Sequence, residues 1–176
     1  MIKIKKAGVL LLAVLFLLTG CAAGPSSGTA GTNPASGSSQ AAKSGYAFKT
    51  GDLTIYMHDE AAPILEKLGE PKQTFEAESC AFQGKERTYV YTSFSVYTYE
   101  LDGVDHIASV VILDDSIGTP EGIYLNSTLD DVKKAYGDKY EESVGLYTYK
   151  SDTMKLSFLI KDNVVTSIEY VALADN

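Results

Sequence analysis

FSVYTYELDGVDHIASVVIL, residues 94–113, reads as a β-hairpin. Val, Ile, Thr, Tyr and Phe crowd both arms, and branched and aromatic side chains suit a pleated, half-buried surface. Asp102-Gly103 stands between the arms, a pair that accepts the positive φ angles of a tight hairpin turn. The pattern predicts strands over Phe94–Leu101 and His106–Leu113, and Thr88–Ser93 just upstream shares the composition and adds a third.

The same texture returns near the C-terminus. Leu146–Lys150, Met154–Ile160 and Val164–Ala172 read as strands, with Lys161-Asp162-Asn163 as the last turn. Tyr46–Lys49 and Leu53–Tyr56 add a short strand or two at the start. A helical segment precedes each set. In the second, Ser127 or Thr128 can cap the free N–H groups, and Asp130 and Asp131 lie at the favourable end of the helix dipole. Leu129, Val132 and Tyr136 form one apolar face, and Gly137 is placed to end the helix. In the first, Asp59 is the expected cap and Ile64, Leu65 and Leu68 face inward. Pro63 falls in the first turn, and Gly69 followed by Pro71 stops the helix.

The two segments match weakly in order. Ile55-Tyr56 returns as Ile123-Tyr124, Leu68-Gly69-Glu70 as Tyr136-Gly137-Asp138, and Asp59 as Ser127. Further on, Tyr89-Val90-Tyr91 aligns with Tyr147-Thr148-Tyr149, Tyr97 and Tyr99 with Leu156 and Phe158, and Ile107–Val110 with Val165–Ile168. The first half then carries about ten extra residues between its helix and its next strand, including Glu78–Gly84. The expected class is α+β: two tandem helix-plus-antiparallel-meander repeats, about 52–115 and 120–174, with the helices packed on a curved antiparallel sheet.

The first twenty-one residues give an address. Lys3, Lys5 and Lys6 precede an apolar run from Ala7 to Leu18, too short to span a bilayer and suited to a secretory signal over residues 1–20. Leu18-Thr19-Gly20-Cys21 resembles the bacterial lipobox, which implies diacylation of Cys21, palmitate-type anchoring and cleavage before it. Residues 22–45 hold six Ala, six Ser and five Gly and no apolar side chain larger than Ala. Such a stretch buries too little to offset its ordering entropy, so 21–45 is expected to be a lipidated, disordered tether and 46–176 the folded domain. The expected location is the extracytoplasmic face of a bacterial cell membrane.

Loss of three lysines with the signal takes the net charge from −8 to −11. That balance, with no cluster of Lys and Arg, argues against nucleic acid and leaves the acyl group as the membrane attachment. With Cys21 lipidated, Cys80 is the remaining thiol, so no intrachain disulfide is expected; beside Ala81 and Phe82 it reads as a small buried hydrophobe.

The segment from Asn126 to Gly137 resembles the helical signature Gly-x-[Ser/Thr]-x-x-x-Val-x-x-x-[Leu/Tyr]-Gly. That signature recurs in the β-lactamase inhibitory protein family and in small lipoproteins of the outer-membrane barrel-assembly machinery. Val132, Tyr136 and Gly137 fit it, as do Ile64, Leu68 and Gly69 in the first half. His58 and Asn126 replace the leading glycine; both tolerate a left-handed backbone better than most residues. The resemblance implies a tandem-repeat fold over 52–172. It carries no inhibitory contact residue to this chain.

Residues for turnover are sparse. His58 and His106 have no second histidine or cysteine at metal-ligand spacing, and Asp114-Asp115 and Asp130-Asp131 draw no calcium loop. Neither a serine-nucleophile motif nor a phosphate-cradling glycine loop is present. No catalytic residue, metal or cofactor is expected, and an enzyme is the weaker class. The candidate protein-binding residues are Tyr89, Tyr91, Tyr97, Tyr99, Tyr147 and Tyr149, which alternate along strands so that each pair shares a face. Tyrosine gives broad contact area at low entropic cost. The favoured reading is an inhibitor-like, protein-binding lipoprotein of unknown target. The other is an accessory structural subunit of an envelope complex.

Overall fold

A computed structural model describes residues 45–78 and 84–174. The expected signal peptide, Cys21, the expected tether before Gly45 and Cys80 all lie outside the described residues. All described residues belong to one compact unit, Gln40–Asn176.

The order is β1 (Phe48–Thr50), β2 (Leu53–Ile55), α1 (Ala61–Leu68), β3 (Gln73–Glu78), β4 (Lys85–Val90), β5 (Phe94–Leu101) and β6 (Val104–Ile112). There follow α2 (Leu129–Tyr136), β7 (Glu141–Ser143), β8 (Leu146–Lys150), β9 (Met154–Lys161) and β10 (Val164–Ala172). β1 and β2 pair as a small hairpin, and the remaining strands form one antiparallel sheet in the order β3-β4-β5-β6-β10-β9-β8-β7.

This corrects the expected α+β class. Among the described residues the protein is predominantly β, with two helices of eight residues each and one eight-stranded sheet rather than two helix-and-meander units. Two causes are visible. β6 and β10 pair directly, Ile112 with Ile168 and Val110 with Tyr170, so their backbone groups are satisfied across the junction and the strands fuse into one sheet. β3 and β7 are strands as well, although Gln73–Glu78 and Glu141–Ser143 lack the branched and aromatic runs that mark strands. The helix-to-strand gap is the same length in both places. The extra residues of the first half lie instead in β3 and its connection to β4.

The helix ends follow local chemistry. At α2, Thr128 and Asp131 form a reciprocal capping box, Thr128 Oγ1 accepting from Asp131 N and Asp131 Oδ2 accepting from Thr128 N. At α1 the N-cap is Glu60 without a side-chain cap; Asp59 instead accepts from Tyr56 N at 3.2 Å. Gly69 and Gly137 end the helices at φ 76° and 81°.

The core lies on one face of the sheet. Val96, Val110, Ile112, Leu156, Phe158, Ile168 and Tyr170 point there and pack under Ala61 and Ile64 of α1, Val132 of α2, and Phe48 and Ile55 of the hairpin. Phe48 sits 5.0 Å from Phe94 and 5.9 Å from Tyr170, ring centre to ring centre. Two bulges keep this face apolar. Tyr97 opposes Ser109 while Thr98 opposes Ile107, leaving Ala108 extra; Val165 opposes Ile160 while Ser167 opposes Leu159, leaving Thr166 extra. Each extra residue returns the next apolar side chain to the core.

Candidate binding surface

Residues opposite each other in an antiparallel pair share a face. Tyr89 opposes Val96, Tyr147 opposes Phe158 and Tyr149 opposes Leu156, all core positions. Tyr91 belongs to the core too, stacked on Phe94 at 5.0 Å. Four of the six candidate tyrosines therefore stand on the covered face. Tyr91 and Tyr149 are buried there, and Tyr149 donates its hydroxyl to Gly137 O at 2.9 Å, tying β8 to the end of α2. Burial pushes the Tyr149 hydroxyl up to about 12. Tyr89 and Tyr147 are half-buried, Tyr147 against Tyr140.

Tyr97 and Tyr99 point the other way. Tyr99 is buried in a side-chain cluster that unites the two histidines. Its ring stacks on His106 at 5.6 Å, and its hydroxyl lies 2.8 Å from His58 Nδ1. His58 Nε2 sits 2.9 Å from Thr153 O, and a carbonyl can only accept. Nε2 thus carries the proton, and Nδ1 accepts from the Tyr99 hydroxyl. His106 Nδ1 in turn donates to His58 O at 3.0 Å. The cluster pins the turn before α1 to β5, β6 and the β8–β9 turn.

Tyr97 is half-buried on the face away from the helices. Its row across the sheet is Thr88, Tyr97, Ser109, Val171 and Lys155; the next is Val90, Ser95, Val111, Glu169, Ser157 and Thr148. Small serines lie low between taller valine and tyrosine side chains. Exposed large apolar residues gather on this face: Phe75, Leu101, Val104, Leu146 and Leu159 by register, and Leu113 by alternation after Ile112. Leu146 and Leu159 oppose each other directly, each 39% exposed. Glu169 stands between Val111 and Ser157, its carboxyl raised above the usual range by partial burial and drawn down in part by Lys155.

Sequence reasoning missed this surface because it ranked tyrosines rather than faces. Leucine in a strand pattern does not say which face it takes, and the side of Leu113, Leu146 and Leu159 is set by register and by the bulges at Ala108 and Thr166.

No protein-family model matches the chain, and no curated protein matches it in sequence. A solved structure does: an extracellular protein containing a SCP domain from Bacillus anthracis str. Ames. It superposes with a TM-score of 0.51 over 65% of this chain and 43% of that one, at 14% identity. This chain thus spans less than half the length of that protein, and at such identity the likeness concerns the fold alone.

Proposed function

We propose that the chain is a membrane-anchored extracytoplasmic lipoprotein whose domain binds a protein through the uncovered face of its sheet. The carrying observation is the division of the two faces. Both helices and the β1–β2 hairpin pack on one side, while the other leaves Tyr97, Leu113, Leu146 and Leu159 at least partly open to solvent around Val111 and Val171. Exposed apolar side chains gathered on one face among polar residues are characteristic of protein interaction sites. The interface centre would be apolar, and the charges of Glu169 and Lys155 would set orientation more than affinity. Attachment at Cys21 through a tether would hold that face close to the membrane and free to search.

Inhibition of a secreted or envelope enzyme is one form such recognition would take, as the resemblance to β-lactamase inhibitory proteins suggests. The test is affinity capture by the tethered chain from native envelope and secreted proteins. Tyr97→Glu combined with Leu159→Ser should abolish capture, whereas Glu66→Lys on the exposed side of α1 should not. Equal capture by all three would remove the proposal. Cys21→Ser should release the chain from the membrane fraction or leave a precursor, and unchanged retention at the mature mass would contradict the anchor. A partner that stays at fixed stoichiometry through detergent would instead favour the accessory-subunit reading.

A further inference from the structure

β3 is the outermost strand at one end of the sheet, and among the described residues its outer edge is unpaired. All six of its residues are exposed, and it pairs with β4 over six consecutive positions without a register shift. The strand at the opposite end, β7, has three residues. Sheets commonly blunt a long free edge with proline, a bulge or lysine, and β3 has none of these. Its acidic residues resemble guards, but Glu76 is turned along its own sheet. It binds Lys85 and accepts from Arg87 Nε at 2.9 Å, and the lysine bond holds its carboxyl below the usual range.

We propose that β3 pairs antiparallel with β3 of a second copy about a two-fold axis through Phe75, joining two eight-stranded sheets into one. An axis perpendicular to the sheet brings residues of matching face together only when it passes through a residue, so three registers keep most of the strand paired. Centring on Glu76 sets that carboxylate against itself. Centring on Thr74 sets Glu78 toward the partner's Glu70 and Phe75 against the partner's Gln73.

Centring on Phe75 gives four compatible kinds of pair. Phe75, 57% exposed, meets the partner's Phe75 in a cross-strand aromatic pair. Thr74 meets the partner's Glu76, Gln73 meets the partner's Ala77, and Lys72 meets the partner's Glu78. Lys72 and Glu78 are both exposed, and Lys72 has no carboxylate within ion-pair distance among the described residues, though it draws down the Asp114 carboxyl from further away. Self-association would supply the missing partner twice, once on each side of the axis. The uncovered faces of the two copies would also become one continuous surface.

The test is a charge exchange in the full-length chain purified in detergent, read by sedimentation. The unsubstituted chain should dimerise. Lys72→Glu and Glu78→Lys should each weaken the dimer by about tenfold, since each places two like-charged pairs across the axis. The combined Lys72→Glu/Glu78→Lys chain should return to within a few-fold of the original. Both positions are exposed, so the fold tolerates the changes. A chain that stays monomeric through the micromolar range would overturn the proposal, as would a dimer indifferent to the single substitutions or a combined chain no tighter than either.

Discussion

His58 and Asn126 hold the same left-handed backbone, at φ 67° and 71°, and each donates its N–H at 2.9 Å to a strand on its way into a helix. His58 N bonds Ile107 O and Asn126 N bonds Val165 O, and the next carbonyls, of Asp59 and Ser127, accept from Ile107 N and Val165 N at 2.8 Å. Both strand residues border the bulges at Ala108 and Thr166. Each helix is therefore hung on the core strand by a short bridge whose first residue must turn left-handed.

A left-handed residue with a side chain costs about 1–2 kcal/mol unless it is Gly, or Asn to a lesser extent. Asn126→Gly should leave the stability to chemical denaturant unchanged or slightly raised. Asn126→Val should lower it by about 1–2 kcal/mol, because a branched side chain fits this conformation worst. At His58 the exchange to Gly should be a net loss, since the ring bonds Tyr99 and Thr153 that hold the turn go with it.

Two buried tyrosines should respond oppositely to loss of their hydroxyls. Tyr170 is fully buried, and among the described residues its Oη has no hydrogen-bond partner. Tyr170→Phe removes a desolvated polar group and should raise stability by about 1 kcal/mol. Tyr149 has Gly137 O as partner, so Tyr149→Phe should lower it by about 1 kcal/mol. Because the Tyr149 hydroxyl is raised from 10.0 to about 12, the folded state keeps a proton that the unfolded chain loses. Its contribution is whole below pH 10 and falls away as pH rises toward 12. Denaturant midpoints of the two variants, measured at neutral pH and on the alkaline side, check both signs.

At the N-terminus of α2, Thr128→Ala should cost about 1 kcal/mol through loss of the cap. Hydrogen bonds from Thr128 lower the Asp131 carboxyl below its ordinary 3.8. A lowered carboxyl stabilises above its unfolded value, and that contribution disappears as pH falls through the lowered folded value. Thr128→Ala should therefore flatten the acid limb of stability below about pH 4. A parallel acid limb in both chains would show that the capping box does not set it.

Much of this architecture was legible locally. Phe94–Leu101, Leu146–Lys150 and Val164–Ala172 begin and end where their composition places them, and Asp102-Gly103 and Asp162-Asn163 supply the left-handed turns between strands. The fold class was not legible, because it depends on the β6–β10 junction and on edge strands whose sequences, QTFEAE and EES, carry no strand signal. The repeat matching carries one slip. Matching Tyr97 with Leu156 is three residues off: Tyr97 opposes Ser109 and Leu159 opposes Ser167, at equivalent points beside the two bulges. Faces alternate with every residue, so an odd slip exchanges the core side for the open one. Four of the candidate tyrosines stand on the covered face because composition marks a strand residue without fixing its side, and the same ambiguity hid the leucines of the open face.

The most direct measurement is photo-crosslinking in living cells, with a photoreactive amino acid placed singly at Tyr97, Leu159 or Glu66 of the full-length chain. Tyr97 and Leu159 lie on the open face of the sheet, and Glu66 lies exposed on α1 across the core. Tyr97 and Leu159 should yield the same discrete heavier species, and Glu66 none of that mass. Adducts from Glu66 alone, or no discrete species from either open-face position, would contradict protein recognition by this side of the sheet.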